Sequence, residues 1–237
     1  MIPTVKQRQN GAVDFKSFYE NICALQNVPP LHSVTCHVAV GILDINADRL
    51  RITDWDPILK ALKINRNLRF VAFRSFAIPS TSKDKNQNFH RRPAPAVLSN
   101  GNLLRSLSRT LRCTLRITSA LSFLELQNLP LSSVDIACLC AGISKNRTIR
   151  HLSFEGSPIG DSGLLDLCQA IRHAPEIATL NLTSCKISPR GVDRLSALIR
   201  VSVHQHFFTP IKKMLFYFIV ICFRSFHLLN PTILMLR

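Results

Sequence analysis

Acidic side chains are scarce in this sequence: 14 Asp and Glu stand against 30 Lys and Arg in 237 residues, a net charge of +16. Residues after Arg200 hold four Lys or Arg and no acid, so +12 of that excess belongs to the rest of the chain. Such a balance admits nucleic acid, an acidic protein or an anionic membrane as partner and does not choose among them. Catalytic signatures are missing as well. There is no G-x-x-x-x-G-K-[ST], no G-x-G-x-x-G after a strand, no G-x-S-x-G and no H-E-x-x-H. Their absence removes the P-loop, dinucleotide, nucleophile-elbow and zincin readings, and neither an enzyme nor a bound cofactor is expected. None of the eight cysteines forms a C-x-x-C pair, so a zinc ribbon or redox motif is not expected and the thiols read as reduced, in a cytoplasmic protein. Residues 1–10 contain no apolar core or cleavage site for secretion. The longest apolar run, Met214 to Phe223, has ten residues, where a bilayer needs about 20. Extending it to Leu236 would place Arg224 in the membrane at a cost of at least about 2.5 kcal/mol.

What the chain does have is a repeat. Starting from Leu121, Ile149 and Ile177, the same pattern L-x-x-L-x-L-x-x-x-x-L recurs every 28 residues. Leu124, Leu126 and Leu131 are matched by Leu152, Phe154 and Ile159, then by Leu180, Leu182 and Ile187. Fourteen residues after each start stands Asp135, Gly163 or Gly191, followed by apolar residues at helical spacing. Those sets are Ile136, Leu139, Cys140 and Ile143, then Leu164, Leu167, Cys168 and Ile171, then Val192, Leu195 and Ile199. Alternation followed by i, i+3, i+4, i+7 predicts one short strand and one helix per unit. A strand-helix unit of this period is a leucine-rich repeat. Cys140 and Cys168 share a helix position and read as small apolar core residues.

The ruler extends upstream to Val40, Leu43, Ile45 and Leu50, with Trp55, Ile58, Leu59 and Leu62 in the helix. Another 28 residues reach Leu68, Val71, Phe73 and Ile78. The next step is 53 residues, one unit plus an excess of 25. The expected organisation is an N-terminal helical cap over residues 1–39, five repeats over 40–200 with an insertion loop at about 79–100, and an apolar, basic tail over 201–237. In the cap, Asp14 is a plausible start for a helix bearing Phe15, Phe18, Tyr19, Ile22 and Leu25, ended by Pro29 and Pro30. A second short helix around Leu31, Val34 and Val38 would follow. The tail breaks the ruler. Val201-Ser202 is how a splice-donor hexanucleotide reads in frame, and the acid-free, Phe-rich residues beyond resemble translated intron, as sequencing the transcript around codon 201 would test. His204 and His206 lie there with no third metal ligand nearby.

Two surfaces are candidates for binding. In a strand of this kind alternate residues face away from the core. One outward column is Ile42, Phe70, Phe123, His151 and Thr179; the next is Asp44, Ala72, Glu125, Ser153 and Asn181; the third is Asn46, Arg74, Gln127, Glu155 and Thr183. Mixed charge on this face disfavours a phosphate backbone as ligand. Two phenylalanines beside an isoleucine suggest a protein-docking ridge, unless the cap or the insertion covers them. Glu125 and Glu155 read as solvated surface groups, not as a catalytic pair. The second surface is a stripe on one helix, Arg105, Arg109, Arg112 and Arg116, beside Leu104, Leu107, Leu111 and Leu115. It could grip phosphates or an acidic partner, or serve as the solvated side of a helix. No aromatic residue interleaves with it, so base stacking has no platform.

Over residues 1–200 the chain also resembles a family of leucine-rich-repeat proteins of centrioles and ciliary basal bodies. The resembling stretches are ENICALQNVPPLHSV, GILDINADRLRITDWDPILKALKINRNL, LSFLELQNLPLSSVDIACL and PIGDSGLLDLCQAI. The resemblance implies an α/β solenoid of the ribonuclease-inhibitor type, with a parallel sheet on the concave face and helices on the convex face. It also implies a non-enzymatic scaffold in centrosome organisation and cilium assembly, located in the cytoplasm at centrosome, centriole and basal body. Its partners would be centriolar proteins and ubiquitin-ligase machinery, with nucleic acid and membrane disfavoured. The further repeats and coiled-coil tail of that family do not follow Arg200 here. The competing reading is a regulatory protein that masks an enzyme with its concave face, as ribonuclease inhibitors do.

Overall fold

The computed structural model describes residues 4–77 and 95–193. Five strands form one parallel sheet in chain order: β1 (Ile42–Asn46), β2 (Phe70–Arg74), β3 (Phe123–Gln127), β4 (His151–Ser153) and β5 (Thr179–Asn181). The register runs Ile42, Phe70, Phe123, His151, Thr179, so the 28-residue ruler and its single 53-residue step are the pairing itself. Leu43, Val71, Leu124, Leu152 and Leu180 point into one continuous core, as do Ile45, Phe73 and Leu126. Helices α4 (Ile52–Ile64), α6 (Gly101–Ile117), α7 (Ser133–Ile143) and α8 (Gly160–Arg172) cover that side, each packed on the next. A helical turn, α5 (Ala96–Ser99), precedes α6 and buries Val97.

Ahead of β1 the chain forms α1 (Val5–Val13), α2 (Phe15–Leu25), α3 (His32–Thr35) and a short 3-10 turn, Val38–Val40. Phe15, Phe18, Tyr19 and Ile22 are buried as the helical spacing predicts, but Leu25, the last residue of α2, is exposed. The Tyr19 hydroxyl accepts from the Leu31 amide at 3.1 Å and ties α3 to α2. Nothing in the apolar pattern of VKQRQNGAV announces α1. A capping box between Thr4 and Gln7 starts it, and Gly11 lets it lie on Phe18, whose ring an added Cβ would meet at 2.4 Å.

The turn entering each of β2, β3 and β4 is held by a short polar side chain three residues before the repeat start. The Asn65 carboxamide accepts from the Asn67 and Leu68 amides and donates to the Gly11 carbonyl. Asn146 does the same with Thr148, Ile149 and the Leu115 carbonyl, and Thr118 with Ala120, Leu121 and the Arg66 carbonyl. Leaving β3, β4 and β5, Asn128, Gly156 and Ser184 occupy one phase of the ruler, all with positive φ. One residue later in the last two repeats, the Ser157 hydroxyl donates to the Leu126 carbonyl and the Cys185 thiol to Phe154. Buried backbone oxygens that the sheet leaves open are thereby satisfied. Cys140 is buried, which pushes its thiol up to about 12; Cys168, read as core, is only partly buried at the edge of it. Ile78, Leu195, Ile199, most of the insertion, the tail with His204 and His206, and codon 201 lie outside the described residues.

Candidate functional site

The face of the sheet opposite the helices carries a ladder of flat side chains set by the register. Phe123 stacks on His151 with ring centroids 4.2 Å apart and planes 8° from parallel. Phe70 meets Phe123 at 6.0 Å in a tilted contact, and Ile42 pairs with Phe70 on the next strand. Ile42 and Phe123 keep 36% and 37% of their surface exposed, so no described residue covers the ridge. Phe70, expected to be open, is half-buried, because neighbouring strands and Arg74 flank its ring.

Arg74 organises the polar side of this face. Its two terminal nitrogens bond the carboxylates of Asp44 on β1 and Glu125 on β3, the latter at 2.6 Å. Those two residues are the register partners of Ala72, so the bridging guanidinium passes over Ala72 and leaves it no exposed surface. Ala72 and Ser153, expected on the open face, are both buried. Desolvation works against the Arg74 charge, but Glu125 and Asp44 outweigh it and raise its pKa. Gln127 donates to Glu125 at 3.2 Å and Asn181 to Glu155 at 3.1 Å. Glu125 and Glu155, read as surface groups and not as a catalytic pair, thus have separate hydrogen-bonding partners. Asp48 is used in the loop after β2, accepting from the Phe76 and Ala77 amides and the Ser75 hydroxyl.

His151 is held below its ordinary pKa, first by burial and then by the Arg150 charge. The imidazole is therefore neutral near pH 7 and stacks on Phe123 as an uncharged ring. A histidine depressed in the fold and ordinary in the unfolded chain (about 6.5) contributes stability that is fully present above about pH 6.5 and lost as pH falls through the folded value. The urea midpoint should drop between pH 7.5 and pH 5, and the drop should shrink in His151→Phe, which keeps the stack. An equal drop in that variant would show that other groups carry the acid sensitivity.

On the helical side, Arg105, Arg109, Arg112 and Arg116 are all exposed along α6. Arg105 is tied to the next helix, since its Nε lies 4.0 Å from Oδ1 of Asp135, a buried carboxylate oxygen with no hydrogen bond of its own. The other Asp135 oxygen closes the capping box of α7 with Ser132. Sequence reasoning missed Arg74 as a bridge, because its partners Asp44 and Glu125 stand in the neighbouring column, opposite Ala72 and two positions off the register of Arg74. Among the described residues no group of three or more His, Cys, Asp or Glu could hold a metal. No helix there is long and apolar enough to cross a membrane.

Parallel strands at a repeat spacing, each followed by a helix on the same side, make this chain a leucine-rich-repeat protein, and a Leucine Rich repeat profile matches residues 145–168 and 177–196. Most of the chain is homologous to centrosomal protein of 78 kDa. It is 40% identical to the Homo sapiens protein over 203 residues, covering 84% of this chain and 29% of that one. The Mus musculus protein is 37% identical (84% and 26%) and the Xenopus tropicalis protein 34% (61% and 20%). The chain therefore spans less than a third of the length of these relatives. A solved structure, leiomodin-1 actin-binding site 2, aligns over 86% of this chain and 92% of that one at 9% identity and a TM-score of 0.42, too low to carry a comparison of function.

Proposed function

We propose that the chain is a non-enzymatic scaffold that works at the centrosome, centriole and ciliary basal body by docking a partner protein on the ladder Ile42, Phe70, Phe123 and His151. The observation that carries this is the ladder itself. Flat rings lie in contact across adjacent strands, and Phe123 and the neighbouring Ile42 keep over a third of their surface exposed. Exposed rings on a rigid sheet bury large area at little entropic cost, which is what anchors in protein interfaces do. Arg74, Glu125 and Glu155 supply the polar border that orients such a partner. The placement at the centrosome is supported by the names of the relatives. Centriolar proteins and ubiquitin-ligase machinery are the partner classes that fit that setting.

Imaging the tagged chain beside a centriole marker and using it for proximity labelling, together with Phe70→Asp/Phe123→Asp, tests this reading. Wild type is expected at the centriole, and the folded double variant should lose most labelled neighbours. An unchanged neighbour set in that variant removes the ladder as the docking site. A diffuse wild-type signal removes the centrosomal role.

A further inference from the structure

One rim of the solenoid, where helices end and strands begin, is built from basic residues at matched phases of the repeat. Arg66 and Arg69 before β2 are matched in phase by Arg147 and Arg150 before β4; Lys63 and Lys145 lie beside them at phases one residue apart, and all six are exposed. Arg116 and Arg172 hold the phase of Lys63 in the units between and after. Glu176 is the acid among the described residues of these turns.

Part of this has an ordinary explanation. Lys63, Arg116 and Arg172 sit in the last turns of α4, α6 and α8, where a cation complements the helix dipole. That effect fades within a turn, so it does not explain Arg66 and Arg69, or Arg147 and Arg150, which lie beyond the helix ends. The Arg69 carbonyl accepts from the Ser122 amide and the Ser122 carbonyl from the Arg150 amide. The two arginine pairs are therefore two strands apart, about 10 Å, across the uncharged Ser119 and Ser122. Among the described residues none of the four arginines is in an ion pair.

We propose that this rim docks an acidic polypeptide segment. Two features favour a polypeptide over a nucleic acid. The sheet face beyond the rim carries the carboxylates of Asp44, Glu125 and Glu155, a mixed charge that does not suit a continuous phosphate backbone. And the rim runs directly into the ladder, since Arg69, Ser122 and Arg150 immediately precede Phe70, Phe123 and His151. A surface that is basic at its edge and apolar one residue further matches a chain carrying both carboxylates and apolar side chains. The proposal deepens the docking reading by naming the partner's chemistry.

Fluorescence anisotropy of the full chain with fluorescein-labelled decaglutamate tests it. Binding is expected at low salt and should weaken steeply as salt rises. The variant Arg66→Gln/Arg69→Gln/Arg150→Gln should bind about tenfold more weakly. Arg147 is left in place because it donates to the His173 carbonyl, and a thermal melt checks that the variant is folded. Arg109→Gln/Arg112→Gln on the helical side should bind within twofold of wild type. No binding, an equal loss in the helical-side variant, or tighter capture of a single-stranded oligonucleotide of the same charge would each overturn the proposal. Because decaglutamate has no apolar side chains, Phe123→Asp tests the ladder separately. If the rim variant binds normally while Phe123→Asp alone loses cellular neighbours, the rim fails and the ladder stands.

Discussion

Phe154→Ala is expected to destabilise the chain by about 3–5 kcal/mol, a large share of the roughly 5–15 kcal/mol available to a domain. Phe154 is wholly buried directly after β4, and its backbone joins the last two described repeats. Its amide donates to the Asn181 carbonyl and its carbonyl accepts from the Cys185 thiol. Removing the ring opens a void between units, and in a solenoid each unit is stabilised largely by its neighbour. The loss should therefore include the coupling of β5 to β4 as well as the transfer energy of one side chain. Chemical unfolding followed by circular dichroism reads the shift directly. A midpoint displaced by less than the equivalent of about 1 kcal/mol would mean that this core does not run continuously from one repeat to the next.

The strands were legible because each must bury two or three apolar residues at alternate positions, and stacking forces the same phase on every unit. Leu124, Leu152 and Leu180 could be aligned by counting, and they pair in the sheet as counted. The large step between Leu68 and Leu121 was legible for the same reason: the rhythm resumes in register after it. The features that failed to show themselves depend on single contacts. In α1 there is no apolar stripe, only a cap and one close approach at Gly11. Asn65 and Asn146 hold equivalent turns, but Thr118 stands in the unit between them, so no identity recurs in consecutive repeats. Ala72 looked like surface because it alternates correctly; its burial comes from Arg74, two residues along, reaching to both neighbouring strands. In the ladder, the residues could be named from the sequence, but the contact of Phe123 with His151 required two rings of different type to lie flat together.

Gly142 offers a test in which two known effects oppose each other. In a helix interior Gly→Ala normally stabilises by about 0.8–1.0 kcal/mol, an upper bound for Gly142, the penultimate residue of α7. At this position in α7 an added Cβ would lie 2.9 Å from the Cα of Arg112 and 3.2 Å from its carbonyl oxygen, with a Leu115 methyl at 3.1 Å. Two of those atoms are backbone of α6 and cannot rotate away, so α6 and α7 would have to separate here. Overpacking of this kind costs about 1–3 kcal/mol, to which the parting of the helices adds lost contacts at Leu111, Leu115, Leu139 and Ile143, all buried. Gly142→Ala is therefore expected to be net destabilising by about 2 kcal/mol, and Gly142→Leu by more. Gly101, in the first turn of α6, is the control: nothing lies within 4 Å of its added Cβ, and Gly101→Ala should be neutral or stabilising by up to about 1 kcal/mol. Thermal melts of the three variants decide the matter by sign, since a Gly142→Ala protein as stable as Gly101→Ala would mean that the two helices do not approach this closely.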